Sequence, residues 1–357
     1  MQRSVSEKIF LFIFFPTILG FYSIYKYPLW FVSEDQVVAT FYWLGKSSSF
    51  WYSTVYSLLV CGIALKVFLA GKTPYGKNKK KKISNYQKKK FLSIFLSQFI
   101  FFYFIPYILP YLLTNKPFFA DEYAPVNKNA YVYIYNGFTS LGGFIYLFVI
   151  VPLSVWFVGK RYCSWFCACG NLSETIGVTK WGNAWVTKLT PRGKLSRRLE
   201  VIQYLLLFFA ICFGLLLFLD AWKIFSAPNL IVSWRAAQDL FVDFTFGAII
   251  GVGAYPFLGT RVWCRYGCPL AASMRLFGKF TKSKFKVVAN DKCKGLNLCT
   301  TQCPMGIDVA AYAHKDGVPI KGSFDLNNTP CIGCGGCIDI CPVKAISFQK
   351  ILGGASS

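Results

Sequence analysis

Six long apolar stretches interrupt an otherwise polar chain, at roughly residues 9–27, 53–70, 91–113, 135–158, 201–220 and 241–258. Crossing a hydrocarbon core of ~30 Å takes about 20 helical residues, and each stretch is of that order. The pattern predicts a polytopic α-helical membrane protein with about six transmembrane helices. The first stretch follows Arg3 and Lys8 as a secretory signal would. It is rich in Phe and Tyr and lacks a small-residue cleavage site, so it reads as a retained anchor. Tyr27, Trp30, Trp51 and Trp156 near the predicted span ends read as interfacial belt residues.

Composition agrees with the pattern: 55% of residues are hydrophobic and only 15% charged. The formal net charge of +24 would suit nucleic acid, but its distribution argues otherwise. Lys72, Lys77, Lys79, Lys80, Lys81, Lys82, Lys88, Lys89 and Lys90 fill the loop between the second and third stretches without one acid. Lys160, Arg161, Lys180, Lys188, Arg192, Lys194, Arg197 and Arg198 outnumber Glu174 and Glu200 between the fourth and fifth. The remaining loops balance Lys46, Lys116, Lys128, Lys223 and Arg235 against Glu34, Asp35, Asp121, Glu122 and Asp239. By the positive-inside rule the two basic loops and both termini are cytoplasmic. The expected location is a bacterial inner membrane, the bilayer is a partner, and nucleic acid is not.

The fourteen cysteines carry the chemistry. Cys331-x2-Cys334-x2-Cys337-x3-Cys341-Pro342 is the complete bacterial ferredoxin run, in which three thiolates hold one cluster and the fourth ligates the other. A second run is incomplete: Cys293, then Leu296 where a cysteine would fall, then Cys299-x3-Cys303-Pro304. Crossed ligation gives one [4Fe–4S] site from Cys303, Cys331, Cys334 and Cys337. Its neighbour has Cys293, Cys299 and Cys341 and an unknown fourth ligand. A three-iron cluster, a four-iron cluster with a non-cysteine or borrowed ligand, and an empty site all remain open there, and Cys169 is the thiol such a site would borrow. Residues 285–350 are therefore expected to form an α+β dicluster ferredoxin-like domain behind a six-helix membrane domain at 1–284.

Two further pairs, Cys163-x3-Cys167 and Cys264-x3-Cys268, follow the fourth and sixth stretches. On a helix, residues i and i+4 share a face, so each pair is expected to present two sulfurs together. Side by side the pairs make a four-thiolate site suited to an iron–sulfur cluster, zinc or Cu(I). Arg161 and Arg261 either stabilise the thiolates or only mark topology. Cys61 and Cys212 sit in apolar spans as small hydrophobes. His314, the one histidine, reads as solvated, and Asp243 as an acid at the membrane edge. With one histidine and no C-x-x-C-H, bis-histidine and attached c-type haem are excluded, and no dinucleotide fingerprint stands out.

Arg-x-x-Cys-x3-Cys-Pro after a membrane helix, with Cys-Pro-Met-Gly-Ile-Asp at 303–308 and the complete run, resembles the membrane polyferredoxin-like subunits of periplasmic nitrate and nitrous-oxide reduction. The related membrane proteins of cytochrome oxidase assembly share these motifs. The resemblance covers roughly residues 135–350 and implies that Cys163, Cys167, Cys264 and Cys268 match the family's two membrane-face motifs. Ala168 replaces the proline expected after Cys167, and no Ser-Gly-Ala-Thr flavin-attachment signature is present. The expected function is an iron–sulfur electron-transfer subunit of an oxidoreductase complex. It would work between a cytoplasmic donor or the quinone pool and a membrane or extracytoplasmic redox partner such as a cytochrome or flavoprotein. The alternative is a copper-handling assembly factor for a membrane oxidase.

Overall fold

The computed structural model describes residues 5–75, 81–114, 138–178 and 190–349. Arg3, Lys77, Lys79, Lys80, Lys116, Asp121, Glu122, Lys128, Lys180, Lys188 and the start of the fourth predicted span lie outside these residues. Among them, five helices are long and apolar enough to cross a membrane: Ser48–Ala70, Asn85–Thr114, Leu141–Trp165, Gly193–Ala221 and Pro228–Gly253. A sixth helix, Val5–Lys26, coincides with the first predicted span, and its apolar described part is the shorter Phe12–Lys26. The protein is thus mostly helical and multi-pass.

Local chemistry sets the helix ends. Ser47 accepts from Phe50 N–H and Ser84 from Gln87 N–H, each satisfying a first-turn donor. Gly71 ends the second helix in a left-handed conformation at φ 61°. The last span differs from expectation at both ends. It begins at Pro228, a residue tolerated in a first helical turn, and stops at Gly253, so that Tyr255–Leu258 form a separate turn. Large apolar side chains such as Leu58, Leu113 and Phe208 point outward, which in water would be costly and in lipid is not.

The tail builds a three-stranded antiparallel sheet in the order Ser323–Phe324, Val287–Ala289, Ile346–Phe348. Val287 sits opposite Phe324 on one side and Phe348 on the other. Two short helices, Leu298–Gln302 and Gly336–Ile340, carry the ends of the two cysteine runs. One continuous hydrophobic core joins Val151, Phe213 and Met274 of the membrane part to Cys303, Ile332 and Ile346 of the tail. The tail is packed onto the helices rather than hung from them.

Candidate iron–sulfur centres

A single backbone device recurs at four cysteines. Each of Cys167, Cys268, Cys303 and Cys341 follows a helical turn and adopts an extended conformation, with ψ of 129°, 115°, 112° and 115°. Proline at 269, 304 and 342 explains three of these, because the residue before proline is driven out of the helical region. Cys167 reaches the same geometry before Ala168. The two membrane-face breaks match in detail: Cys167 N–H donates to Tyr162 O at 3.0 Å and Cys268 N–H to Trp263 O at 2.8 Å. The expectation that each C-x3-C pair lies along one helix face is therefore corrected. The first cysteine sits in a helical turn, and the second stands at the break leading into the next helix, Ala168–Thr175 or Pro269–Phe280.

Cys303, Cys331, Cys334 and Cys337 line one small cavity with apolar walls, among them Ile332 and Met305. Gly333 N–H points at Cys331 Sγ at 3.4 Å. Burial first, and then Glu174, push the Cys334 thiol up to about 12, with Lys90 opposing. Cys337 is driven well above its usual value by burial first, then by Cys334, Cys331 and Cys303. Such thiols stay protonated at neutral pH until a metal displaces the protons, so the donor set fits an iron–sulfur cluster and loading releases protons. Gly335 lets the run pass close to the membrane part: its φ is 75°, and a Cβ there would come within 2.8 Å of Gln87 Nε2.

In the incomplete run Cys299 is pushed up to about 11, by burial first and also by Cys341 and Cys293, with its own helix's N–H groups opposing. Ala345 N–H lies 3.3 Å from Cys341 Sγ. Leu296 is exposed, in a turn whose neighbours Gly295 and Asn297 both have positive φ. His314, expected to be solvated, is half-buried, and its ring lies where a Cβ on Gly295 would be 3.1 Å away.

At the membrane face, Cys268 is pushed well above its usual value by burial first and then by the neighbouring thiols Cys264, Cys167 and Cys163. Cys163 Sγ also approaches Met274 Sδ at 3.9 Å. Arg261 is buried and holds the pairs: Nη1 donates to Cys163 O at 2.7 Å and points at Cys264 Sγ at 3.6 Å, while Nη2 pairs with Glu174. Glu174 accepts from Lys90 Nζ at 2.7 Å, and Lys90 donates onward to Cys334 O at 3.1 Å. A hydrogen-bonded chain therefore runs from the membrane-face thiols to the complete run. Lys90, Lys160 and Arg261, counted in sequence as topology charges, are buried in this site. Burial pushes the Glu174 carboxyl up, but Lys90 and Arg261 outweigh it and hold it below the usual range.

Cys169, the thiol expected as a borrowed ligand, lines a cavity of about 580 Å³ between the helices. Tyr22, Tyr52, Tyr56 and Tyr255 share that wall with Cys264 and Arg261. Asp243, expected only as an edge acid, also lines the cavity and pairs with Lys26 at 3.3 Å. Among the described residues, no three His, Cys, Asp or Glu side chains are gathered tightly around a single ion position.

Comparison with known proteins bears on these sites. A 4Fe-4S dicluster domain is matched over residues 285–342, and a 4Fe-4S binding domain over 141–188 and 243–287, the segments that carry the two membrane-face pairs. The chain is 30% identical over 213 residues to YccM of Escherichia coli, a protein named for electron transport, covering 57% of this chain and 54% of that one. It is 26% identical over 198 residues to the ferredoxin-type protein NapH of Haemophilus influenzae, covering 53% and 62%. An uncharacterized protein of Methanocaldococcus jannaschii is 26% identical over 202 residues, covering 56% and 69%. The chain spans little more than half the length of the Escherichia coli relative. No solved structure matches.

Proposed function

Since the chain belongs to the membrane polyferredoxin-like family, we propose that it is the electron-transfer subunit of a membrane oxidoreductase, with cluster sites in series on the cytoplasmic face of a bacterial inner membrane. The observation that carries this reading is the buried chain Cys264–Arg261–Glu174–Lys90–Cys334, which holds two thiol sets against each other inside one core. Cys303, Cys331, Cys334 and Cys337 hold a [4Fe–4S] cluster; Cys293, Cys299 and Cys341 hold the second; Cys163, Cys167, Cys264 and Cys268 hold a third. When bound, clusters supply one-electron carriers, and the protein's part is to bury, orient and charge their surroundings.

The membrane cavity fits the other end of the path. Its volume of about 580 Å³ is in the range of small-molecule sites, its wall mixes aromatic rings with tyrosine and serine hydroxyls, and it reaches Cys264. A quinone is the lipid-soluble carrier of matching size and polarity. The matched 4Fe-4S binding segments favour iron over copper at the membrane-face pairs. Iron, sulfide and copper analysis with EPR on the purified full chain tests the reading. Wild type is expected to show reducible cluster signals, and Cys264→Ser to lose one cluster's iron while the complete run's signal survives. No reducible cluster sinks the proposal, and copper lost on Cys264→Ser replaces it with metal handling.

A further inference from the structure

Arg265, directly after Cys264, is 1% exposed, yet no carboxylate pairs with it among the described residues. An unpaired buried charge is strongly unfavourable, so its position needs a reason. Two neighbouring arginines have one: Arg261 pairs with Glu174, and Arg275 Nη1 with Glu200 at 2.5 Å. Arg265 Nη2 donates only to neutral groups, Pro191 O at 3.0 Å and Ser196 Oγ at 2.5 Å. Its Nε and Nη1 are buried and find no acceptor among the described residues. The guanidinium stands 4.7 Å from the Tyr266 ring centroid.

What the guanidinium lies against is the ligand loop of the complete site. A Cβ on Gly306 would meet Arg265 Nη2 at 2.6 Å, and Gly306 N–H closes the turn onto Cys303 O at 3.2 Å. Gly306, at φ 65°, is what lets the cation approach the Cys303–Pro304–Met305–Gly306 turn. Two unused donors on a permanent cation, packed on the turn that carries Cys303, call for an anionic acceptor that the described residues do not supply.

We propose that Arg265 donates from Nε and Nη1 to the iron–sulfur cluster held by Cys303, Cys331, Cys334 and Cys337, and raises that cluster's reduction potential. Reduction adds one electron and breaks no bond. The added negative charge falls beside a fixed cation in a low-dielectric interior, which stabilises the reduced form. Arg265 is a positioning and potential-setting residue. The inference rests on the cluster assignment above.

Redox titration followed by EPR, on the full chain in detergent, tests it. Arg265→Gln is expected to leave the complete cluster's signal at full intensity while its reduced-to-oxidised ratio at fixed poise falls roughly tenfold, about 59 mV for one electron. Arg265→Lys is expected to recover most of the ratio. An unchanged ratio with the signal intact overturns the proposal, as does a change confined to another cluster. Should Arg265→Gln fail to assemble, pulsed EPR on wild type carrying ¹⁵N-arginine decides: a nitrogen coupling to the reduced cluster that is lost in Arg265→Lys supports the contact, and no coupling overturns it. A wild type without any reducible cluster signal instead removes the cluster assignment.

Discussion

Glu174 shows how much of a site can rest on one side chain. Its carboxylate is shared by Lys90 and Arg261, all three buried, so removing it leaves two cations facing each other without solvent. Breaking such an arrangement costs about 3–5 kcal/mol, and Glu174→Ala is expected to lower the unfolding midpoint in detergent accordingly. The pH dependence has a definite sign. The folded carboxyl titrates below its unfolded value of about 4.3, so its contribution is complete above that pH and fades as pH falls through the folded value. Acid unfolding of wild type is therefore expected to show a stability loss that Glu174→Gln lacks. Equal acid sensitivity in both would remove the argument. Nothing local marks Glu174 in the sequence: it stands among loop charges, and its partners lie 84 and 87 residues away. Leu296 was legible for the opposite reason, since a fixed spacing makes a missing thiol visible. With three thiols, the neighbouring site is expected to hold a three-iron cluster, and Leu296→Cys to convert it to a four-iron one. Iron counting and loss of the oxidised-state EPR signal check this, and an unchanged count would refute it.

Among elements, the unit that matters is the helical turn, the extended cysteine and the following segment, used four times. Three copies were legible through proline, which forces the break. The fourth was not, because Ala168 imposes nothing on Cys167 and the surrounding packing must do so. The spacing of i and i+4 suggested one helix face, but a thiol at a break can turn toward a second element, and Arg261 reaches the backbone of Cys163 in one pair and the sulfur of Cys264 in the other. Packing at Gly170 is part of that fourth break. A Cβ there would meet Cys163 O at 2.0 Å and Arg261 Nη1 at 3.1 Å, against backbone that cannot swing aside. Gly170→Ala is accordingly expected to separate the two pairs and to remove the membrane-face cluster's iron, leaving the complete run's EPR signal in place. Full iron content in that variant would show that the pairs do not act as one site.

For the molecule as a whole, hydrophobic runs made the membrane spans legible and cysteine spacing the ferredoxin tail, because both are local signals. How the two parts meet was not, since it depends on contacts between distant segments. The lysine-rich loop and the tail touch directly: Gln87 Nε2 donates to Cys334 O at 2.9 Å, Lys81 Nζ to Asp339 O at 2.6 Å, and Tyr86 to Gly333 O. They therefore share one side of the membrane, in agreement with the charge argument. Ser164 Oγ adds a bond to Ile332 O at 2.8 Å, and the apolar core runs through both parts. The chain boundary near residue 284 is thus not a boundary in packing. Two independent domains would melt separately, whereas a shared core makes opening either part expose the other. Thermal unfolding in detergent is expected to give one transition, with loss of iron–sulfur absorbance and change in tryptophan fluorescence superimposed. Gln87→Ala combined with Ser164→Ala is expected to shift both probes downward together. A tail transition that moves while the tryptophan transition stays fixed would show that the ferredoxin part is only tethered.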